Sequence, residues 1–146
     1  MSVSIIEQIA EAVREAVNSV EGVTALRPRR AWFLDEITAI DQTVVIEQDT
    51  PERLESTLHT VDWDQPFNLL LLASDSDAAT APIDTRLNEL RSRIERALLT
   101  DETLGGLAIG LRMEGPTYYS TQDLTGVLLR VVVHYRTAYA DPYQFA

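Results

Sequence analysis

The feature that most constrains the fold of this sequence is its closing strand-like run, Leu124 to Tyr139, which is rich in β-branched and aromatic residues. Such residues favour strands, and successive side chains of a strand point to opposite faces of the sheet. One face would carry Leu129, Val131, Val133, Tyr135 and Tyr139, and the other would carry Leu128, Arg130, Val132, His134 and Arg136. The first set suits a hydrophobic core. Because the second is too apolar for solvent and too charged for a core, we expect it to lie against another subunit.

Two segments with helical periodicity precede this run. In the first, Ser4 and Glu7 have the form of a capping box, and apolar residues then recur every three or four positions. In the second, Thr80 is the expected N-cap, Pro82 lies in the first turn, and the residues TLGG end the helix. Each pattern predicts a helix with one buried stripe.

Strand-like composition recurs between and after the helices. The stretches are Ala31 to Leu34, Thr43 to Gln48, Leu54 to Trp63, Phe67 to Ala73 and Leu107 to Met113. The residues EGPTYYSTQD, which follow the last of these, are typical of a loop. The order of helix, several strands, helix and two strands predicts an α+β fold, with a mainly antiparallel sheet flanked by two main helices. A length of 146 residues is usual for one domain, so we expect residues 1–146 to form a single domain.

Composition disfavours several classes of protein. The chain has no cysteine, which rules out disulfides and zinc–thiolate sites and is typical of a protein made in a reducing cytoplasm. Its first twenty residues carry glutamates through an apolar pattern and lack the basic leader of a signal peptide. The longest apolar runs fall short of the roughly 20 residues that span a bilayer. We therefore expect neither export by a leader nor a membrane span.

Residues that could support catalysis or a cofactor are few. The glycines form no nucleotide-binding motif, and no lysine is present to complete a phosphate-binding loop. His134 could act as a general base, but we favour a partly exposed histidine at a subunit contact. His59 could join Asp62 and Asp64 in a metal site, but strand alternation would send the aspartates to one face and His59 to the other. We predict no catalytic residue, cofactor or metal; a small cytosolic enzyme or ligand-binding domain built around His134 and the arginine-bearing strand face is the alternative from a different class.

An arginine cluster and an aromatic tail extend the predicted contact surface. The residues RPRR precede two aromatic residues, but a net charge of −11 would repel the phosphate backbone of a nucleic acid. A polar rim with aromatic anchors for a protein partner explains the same residues. After Pro142 the chain should leave the sheet carrying two more rings; a lid over the protein's own core is the alternative. The predicted interface comprises Arg27, Arg29, Arg30, Trp32, Phe33, Arg130, Val132, His134, Arg136, Tyr139, Tyr143 and Phe145.

The order of these segments is similar to that of a known family. An N-terminal amphipathic helix, a strand series ending in FNLLLLA, the helix TRLNELRSRIERALLTDETLGG and the closing GVLLRVVVHYRTAYADPY together resemble tail terminator proteins of long-tailed bacteriophages. The resemblance is clearest from Pro82 to Tyr143. It implies a hexameric ring at the tail–neck junction of the virion that caps the tail tube, ends its polymerisation and offers a surface to the neck or head.

The resemblance also implies partners. These are further copies of the chain, the tail tube protein, a neck or head-completion protein and, in contractile tails, the sheath protein. DNA would pass through the ring without specific binding, and the family has no active-site residue to transfer. A neighbouring neck or tail completion protein, acting as a head–tail connector, is the alternative within the same class.

Negative charge is concentrated in one third of the chain. Residues 35–77 contain eleven acidic residues and one arginine, while the rest of the chain is nearly balanced. In a ring, this segment could form an electronegative channel wall past which DNA slides; an acidic outer surface that maintains solubility is the alternative. The candidate lining residues are Asp35, Glu36, Asp41, Glu47, Asp49, Glu52, Glu55, Asp62 and Asp64.

Overall fold

The computed structural model describes residues 3–27, 42–73, 82–120 and 125–145. Within these ranges the chain forms two helices and a mixed, mostly antiparallel sheet of seven strands, which confirms the predicted α+β class. The elements are α1 (Ile5–Asn18), β1 (Thr24–Leu26), β2 (Thr43–Gln48), β3 (Glu52–Ser56), β4 (Thr60–Ala73), α2 (Ile83–Leu99), β5 (Gly110–Ser120), β6 (Thr125–Ala138) and β7 (Asp141–Phe145). Neither of the helices described is long and apolar enough to cross a membrane.

The sheet is built around a long antiparallel pair, β4 and β6. Their register runs without interruption from Thr60 opposite Ala138 to Ala73 opposite Thr125. β2 and β3 pair with the outer side of β4, and β5 and β7 pair with the outer side of β6. β1 is parallel to β2, and the other pairings are antiparallel. Because β3 and β7 both join near Thr60 and Ala138, this end of the central pair carries the two short outer strands.

The hydrophobic core lies between one face of the sheet and the two helices. The buried stripes are Ile5, Ile9, Val13 and Val17 in α1 and Leu87, Leu90, Ile94 and Leu98 in α2. They cluster with Phe67, Leu69 and Leu71 of β4 and with Leu129, Val131 and Val133 of β6. Complete burial of one such side chain contributes about 1.5–3 kcal/mol, so this cluster dominates the stability of the fold. The predicted inner face of the closing strand is confirmed, except that Tyr139 lies beyond the end of β6 and is 53% exposed.

The two helices begin with different local interactions. Ser4 is the N-cap of α1, and its Oγ accepts a hydrogen bond from the Glu7 N–H at 3.3 Å, as the capping pattern predicted. The Glu7 carboxylate accepts instead from Arg27, at 2.9 Å. Pro82 is the N-cap residue of α2 and not part of its first turn, so the helix starts two residues later than predicted. The predicted cap, Thr80, lies outside the described residues.

The stretch from Leu54 to Trp63, predicted as one strand segment, is divided by a tight turn. The Thr57 hydroxyl accepts hydrogen bonds from the backbone N–H groups of His59 and Thr60, at 3.1 and 3.0 Å, and closes the turn between β3 and β4. Such local bonds from a threonine hydroxyl compete with a continuous strand. Another predicted strand, Ala31 to Leu34, lies outside the described residues.

β5 differs from its prediction at both ends. The expected strand from Leu107 to Met113 was to be followed by a loop, whereas β5 begins at Gly110 and continues through the first part of the predicted loop, to Ser120. Its pairing with β6 is irregular between Glu114 and Thr117, where Gly115 has a φ of 95°. The turn-forming residues are therefore accommodated in a β-bulge, and the strand resumes beyond it.

The aromatic tail stays in the sheet, so the prediction that it leaves at Pro142 was wrong. After a turn that follows β6, the chain folds back and β7 pairs with the end of β6, with Phe145 opposite Thr137. The Asp141 carboxylate accepts a hydrogen bond from the Tyr143 N–H at 3.0 Å, which shapes the start of β7. Pro142 has no N–H to donate, and it is tolerated here because β7 is an edge strand.

Candidate functional site

The sheet face opposite the helices carries charged side chains that lie across from one another. The antiparallel register places Asp62 opposite Arg136 and Asp64 opposite His134. Cβ atoms of directly opposite residues lie about 4.5–5.5 Å apart, close enough for such pairs to interact. From the sequence, the aspartates were predicted to line a channel and the other two residues to lie at a subunit contact. The register brings both groups together on one face.

Ion pairs connect these side chains at hydrogen-bonding distance. The Arg136 guanidinium donates from Nε and Nη2 to the two carboxylate oxygens of Asp62, at 2.6 and 3.1 Å. The His134 ring lies between both aspartates, with Nε2 3.3 Å from Asp62 Oδ2 and Nδ1 3.0 Å from Asp64 Oδ1. Arg112 donates from Nη1 to Asp64 Oδ2 at 3.1 Å, which adds β5 to the network.

The network continues from Arg112 across β5 and β6. Arg112 Nε donates to Glu114 Oε1 at 3.4 Å, and Arg130 Nε lies 3.3 Å from Glu114 Oε2. Arg130 also donates from Nη1 to Asp49 Oδ2, at 3.0 Å, just beyond β2. These contacts form one alternating series of acidic and basic groups, which we call the charge ladder. In order, its members are Asp49, Arg130, Glu114, Arg112, Asp64, His134, Asp62 and Arg136.

The charge ladder joins buried acids to exposed cations. Asp62 and Asp64 are each 8% exposed, whereas the Arg112 and Arg136 side chains are 54% and 44% exposed. A buried carboxylate is costly unless it is paired, so the two aspartates depend on these cations. The hydrogen bond from Arg136 lowers the pKa of the Asp62 carboxyl below its ordinary value, against the opposing effect of burial.

The net charge of the ladder depends on His134. Its four carboxylates face three guanidinium groups, so the ladder carries one negative charge when the imidazole is neutral and none when it is protonated. Asp49, Asp62 and Asp64 each pair with a guanidinium group, which offsets much of their negative charge. An electronegative channel wall would depend on exposed acidic residues outside the ladder. In the described part of the acidic segment, residues 35–77, these include Glu47, Glu52 and Glu55. Asp35, Glu36 and Asp41 lie outside the described residues.

The second exposed feature is the aromatic edge, formed by Tyr139, Tyr143 and Phe145 at the end of the sheet where β7 attaches. These residues are 53%, 51% and 50% exposed. Rings exposed to this extent do not close over the core as a lid. Arg53 of β3 places its guanidinium 5.6 Å from the Tyr139 ring and 5.9 Å from the Trp63 ring, within the range of cation–π contacts.

A shallow groove connects the charge ladder to the aromatic edge. It is lined by residues 106–109 together with Arg136 and Phe145, and its volume is about 190 Å³. Ile109 in this groove is 51% exposed. One end of the ladder and the aromatic edge thus form a single surface that combines apolar and cationic groups.

The other predicted contact residues lie away from this surface or outside the described ranges. Arg27 donates to Glu7 and Glu11 of α1, at 2.9 and 3.2 Å, and is engaged within the protomer. Val132 lies on the face of the ladder but is 3% exposed, so it packs within the protomer. The residues outside the described ranges are Arg29, Arg30, Trp32 and Phe33.

Two members of the charge ladder, Arg112 and Glu114, are not identified by the sequence analysis. The signal that could have found them is their alternation with Leu111 and Met113. Alternation places both charged side chains on the face opposite the core, where the charges of β6 also lie. Their pairing with particular acids and bases of β4 and β6 depends on strand register, which the sequence pattern does not contain.

The residues considered for a metal site are separated. Asp62 and Asp64 share a face, as predicted, while His59 lies in the exposed turn between β3 and β4. Among the residues that the structure describes, no group of three or more histidine, aspartate or glutamate side chains is arranged to hold a metal ion.

Comparison with known proteins adds no family assignment. No model of a protein family matches the sequence, and no curated protein matches it.

Proposed function

We propose that this chain is a structural subunit of a long-tailed bacteriophage that assembles into a ring, caps the tail tube, ends tube polymerisation and presents a surface to the neck or head. The observation that carries the proposal is the aromatic edge, whose three rings are half exposed where the edge strand β7 attaches. Aromatic residues are enriched in protein–protein contacts and dominate their binding energy. An edge of this kind fits burial by a neighbouring subunit.

The open edges of the sheet differ in how they are protected against pairing with another chain. β3 is exposed throughout, and three of its five residues are charged, which disfavours edge-to-edge pairing. β5 is interrupted by the bulge that contains Pro116. β7 begins with Asp141 and Pro142, but Tyr143 to Phe145 contain neither charge nor proline. No described strand pairs with the outer side of β7, so its backbone can extend the sheet into a second subunit.

A ring requires two distinct and complementary surfaces on each subunit, because its contacts are head-to-tail. The aromatic edge would supply one of them. The resemblance to tail terminators favours six copies, with the tail tube protein, a neck or head-completion protein and, in contractile tails, the sheath protein as partners at the tail–neck junction of the virion. Each arginine of the charge ladder is engaged by a carboxylate, which limits its attraction for DNA passing through the ring.

Negative-stain imaging of the purified protein, alone and with isolated tail tubes, tests the proposal. We expect closed rings in solution or at the ends of tubes. We also expect tube growth to stop when the protein is added to polymerising tube subunits. A stable monomer that forms no rings and does not bind tube ends would contradict the proposal.

Substitutions at the aromatic edge test whether this edge is the contact between subunits of the ring. Tyr143→Ser combined with Phe145→Ser should abolish ring formation while the far-ultraviolet circular dichroism stays that of the parent. Leu99→Ser is the matched control, because Leu99 is also an exposed apolar residue, at 44%, but belongs to α2. Loss of rings in both variants, or in neither, would remove the aromatic edge as the specific contact.

Deletion of the gene from the phage separates a terminator from its nearest alternative. Overlong tails in the deletion mutant would support a protein that caps the tail tube. Tails of normal length that fail to join heads would assign the chain to a neighbouring neck or tail completion protein.

A further inference from the structure

The protonation state of His134 determines how many hydrogen bonds its ring can donate within the charge ladder. Both ring nitrogens face carboxylate oxygens, at 3.0 Å for Asp64 and 3.3 Å for Asp62. A neutral imidazole has one N–H, so it donates to one aspartate and turns a lone pair toward the other. An imidazolium has two N–H groups and can donate to both. Protonation therefore decides whether the ladder is continuous between Asp64 and Asp62.

His134 also lies close to the places where the two outer strands attach. Its partner Asp64 is opposite Glu52 in the pairing of β3 with β4. On the other side, β7 pairs with β6 at Thr137 and Ala138, just beyond the ladder. The link between Asp62 and Asp64 thus spans the segment of sheet on which β3 and β7 depend.

Charged groups of four strands lie near His134 or near its partners, although of these only Asp62 and Asp64 contact the ring. The groups are Asp62 and Asp64 from β4, Arg130 and Arg136 from β6, Arg112 from β5, and Glu52 and Glu55 from β3. Arg136 lowers the pKa of Asp62, so this carboxylate stays ionised while a histidine titrates. One oxygen of Asp64 pairs with Arg112, which leaves the other oxygen for His134. Both aspartates are therefore held in place to accept hydrogen bonds from an imidazolium.

We propose that His134 is a proton-dependent link for the outer strands: the imidazolium bridges Asp62 and Asp64 and closes the charge ladder, while the neutral ring releases one aspartate and loosens β3 and β7. Loosening means that the ends of these strands open more often, not that the core unfolds. The inference goes beyond the proposed function, because it concerns the chain by itself and holds whether or not a ring forms. Since β7 carries most of the aromatic edge, this edge is held more firmly in mild acid than in mild alkali.

Amide hydrogen exchange of the full chain, measured by NMR and corrected for the intrinsic rate at each pH, tests the link. The reporting amides are those of Thr57, directly after β3, and Tyr139, just before β7, whose N–H groups donate to the carbonyls of Thr60 and His59 at 2.8 and 2.7 Å. We expect their protection to fall by roughly tenfold between about pH 5 and pH 8, the interval in which histidines change charge. The amides of α1 should keep their protection across the same interval.

Three variants make the test specific. His134→Gln cannot become charged, and its reporting amides should be weakly protected at both pH values. His134→Arg is always charged, and its reporting amides should stay protected at both pH values. If the larger side chain prevents folding, the result for His134→Gln alone tests the proposal. His59→Gln is the control for the other histidine of the chain and should keep the pH dependence of the parent. The proposal is overturned if parent protection is the same at both pH values, if His134→Gln retains the change, or if His59→Gln abolishes it.

Discussion

Gly126 of β6 lies directly beneath the side chain of Tyr119, its partner in the pairing of β5 with β6. A Cβ atom at Gly126 would stand 2.5 Å from the Tyr119 hydroxyl oxygen and 2.9 Å from the Leu71 carbonyl oxygen of β4. Both distances are shorter than van der Waals contact, and one of them is to backbone. The close approach of three neighbouring strands therefore requires glycine at this position.

Replacement of Gly126 by alanine should destabilise the protein by about 1–3 kcal/mol, because the added methyl group overpacks the sheet. Gly110→Ala is the matched control, since Gly110 also lies in a strand and its Cβ would meet no atom within 4 Å. Urea unfolding followed by circular dichroism measures both variants. Equal stability of Gly126→Ala and the parent would show that the Tyr119 ring moves aside and that the Leu71 carbonyl yields.

The Tyr119 hydroxyl is buried and has no hydrogen-bond partner in the part of the chain that the structure describes. Burial raises its pKa from 10.0 to about 12. Because the unfolded chain loses this proton first, the stability that the neutral phenol contributes is present below about pH 10 and is lost as the pH rises through about 12. Alkaline unfolding curves of Tyr119→Phe should show a smaller loss over this interval than the parent. At neutral pH the variant should be as stable as the parent or more stable by up to about 1 kcal/mol, because an unpaired buried hydroxyl is removed.

Asp62→Asn should destabilise the protein by about 1–3 kcal/mol at neutral pH, since Arg136 and His134 both lose a charged acceptor at a buried position. The Arg136 hydrogen bond lowers the pKa of Asp62 below the ordinary value of 3.8. The contribution of the carboxylate is therefore present above that value and is lost as the pH falls through the lowered pKa.

Urea midpoints measured at neutral and acidic pH test this expectation, and Asp62→Asn should lose less stability on acidification than the parent. Glu52→Gln is the control, because Glu52 is exposed and its neutralisation should change the stability by less than about 0.5 kcal/mol. Parallel acid sensitivity of Asp62→Asn and the parent would mean that other carboxylates dominate the acid response.

Under the proposed ring function, the combined substitutions Glu47→Gln, Glu52→Gln and Glu55→Gln should slow genome delivery while tail length stays normal. The physical reason is that a less negative channel wall repels the DNA backbone less. Ejection rates and tail lengths in electron micrographs measure the two effects. Unchanged delivery would place these acids on the outer surface of the particle.

The features that the sequence predicted correctly are those set by neighbouring residues. Ser4 caps α1, and the inner face of β6, from Leu129 to Tyr135, lies in the core. A capping box spans one helical turn and strand alternation has a period of two, so both can be read from a short stretch of chain.

The predictions that were wrong concern residues whose local sequence is compatible with two different structures. Gly115 and Pro116 are typical turn residues, yet they lie in a bulge because β6 is long enough to pair with β5 on both sides of it. Pro142 suggested the end of the sheet, but an edge strand tolerates proline, and the end of β6 offers a partner for Phe145. In both places the partner strand decided the outcome.

By itself, the sequence determined the α+β class, the two amphipathic helices and which side chains of β6 face the core. The tertiary structure alone decided that Asp62 meets His134, 72 residues away, and that the charges assigned to a channel and those assigned to an interface form one ladder. The physical reason is that strand register is set by the packing of the whole buried face. A shift of one residue would move every side chain to the other side, so no local pattern records which acid lies opposite which base.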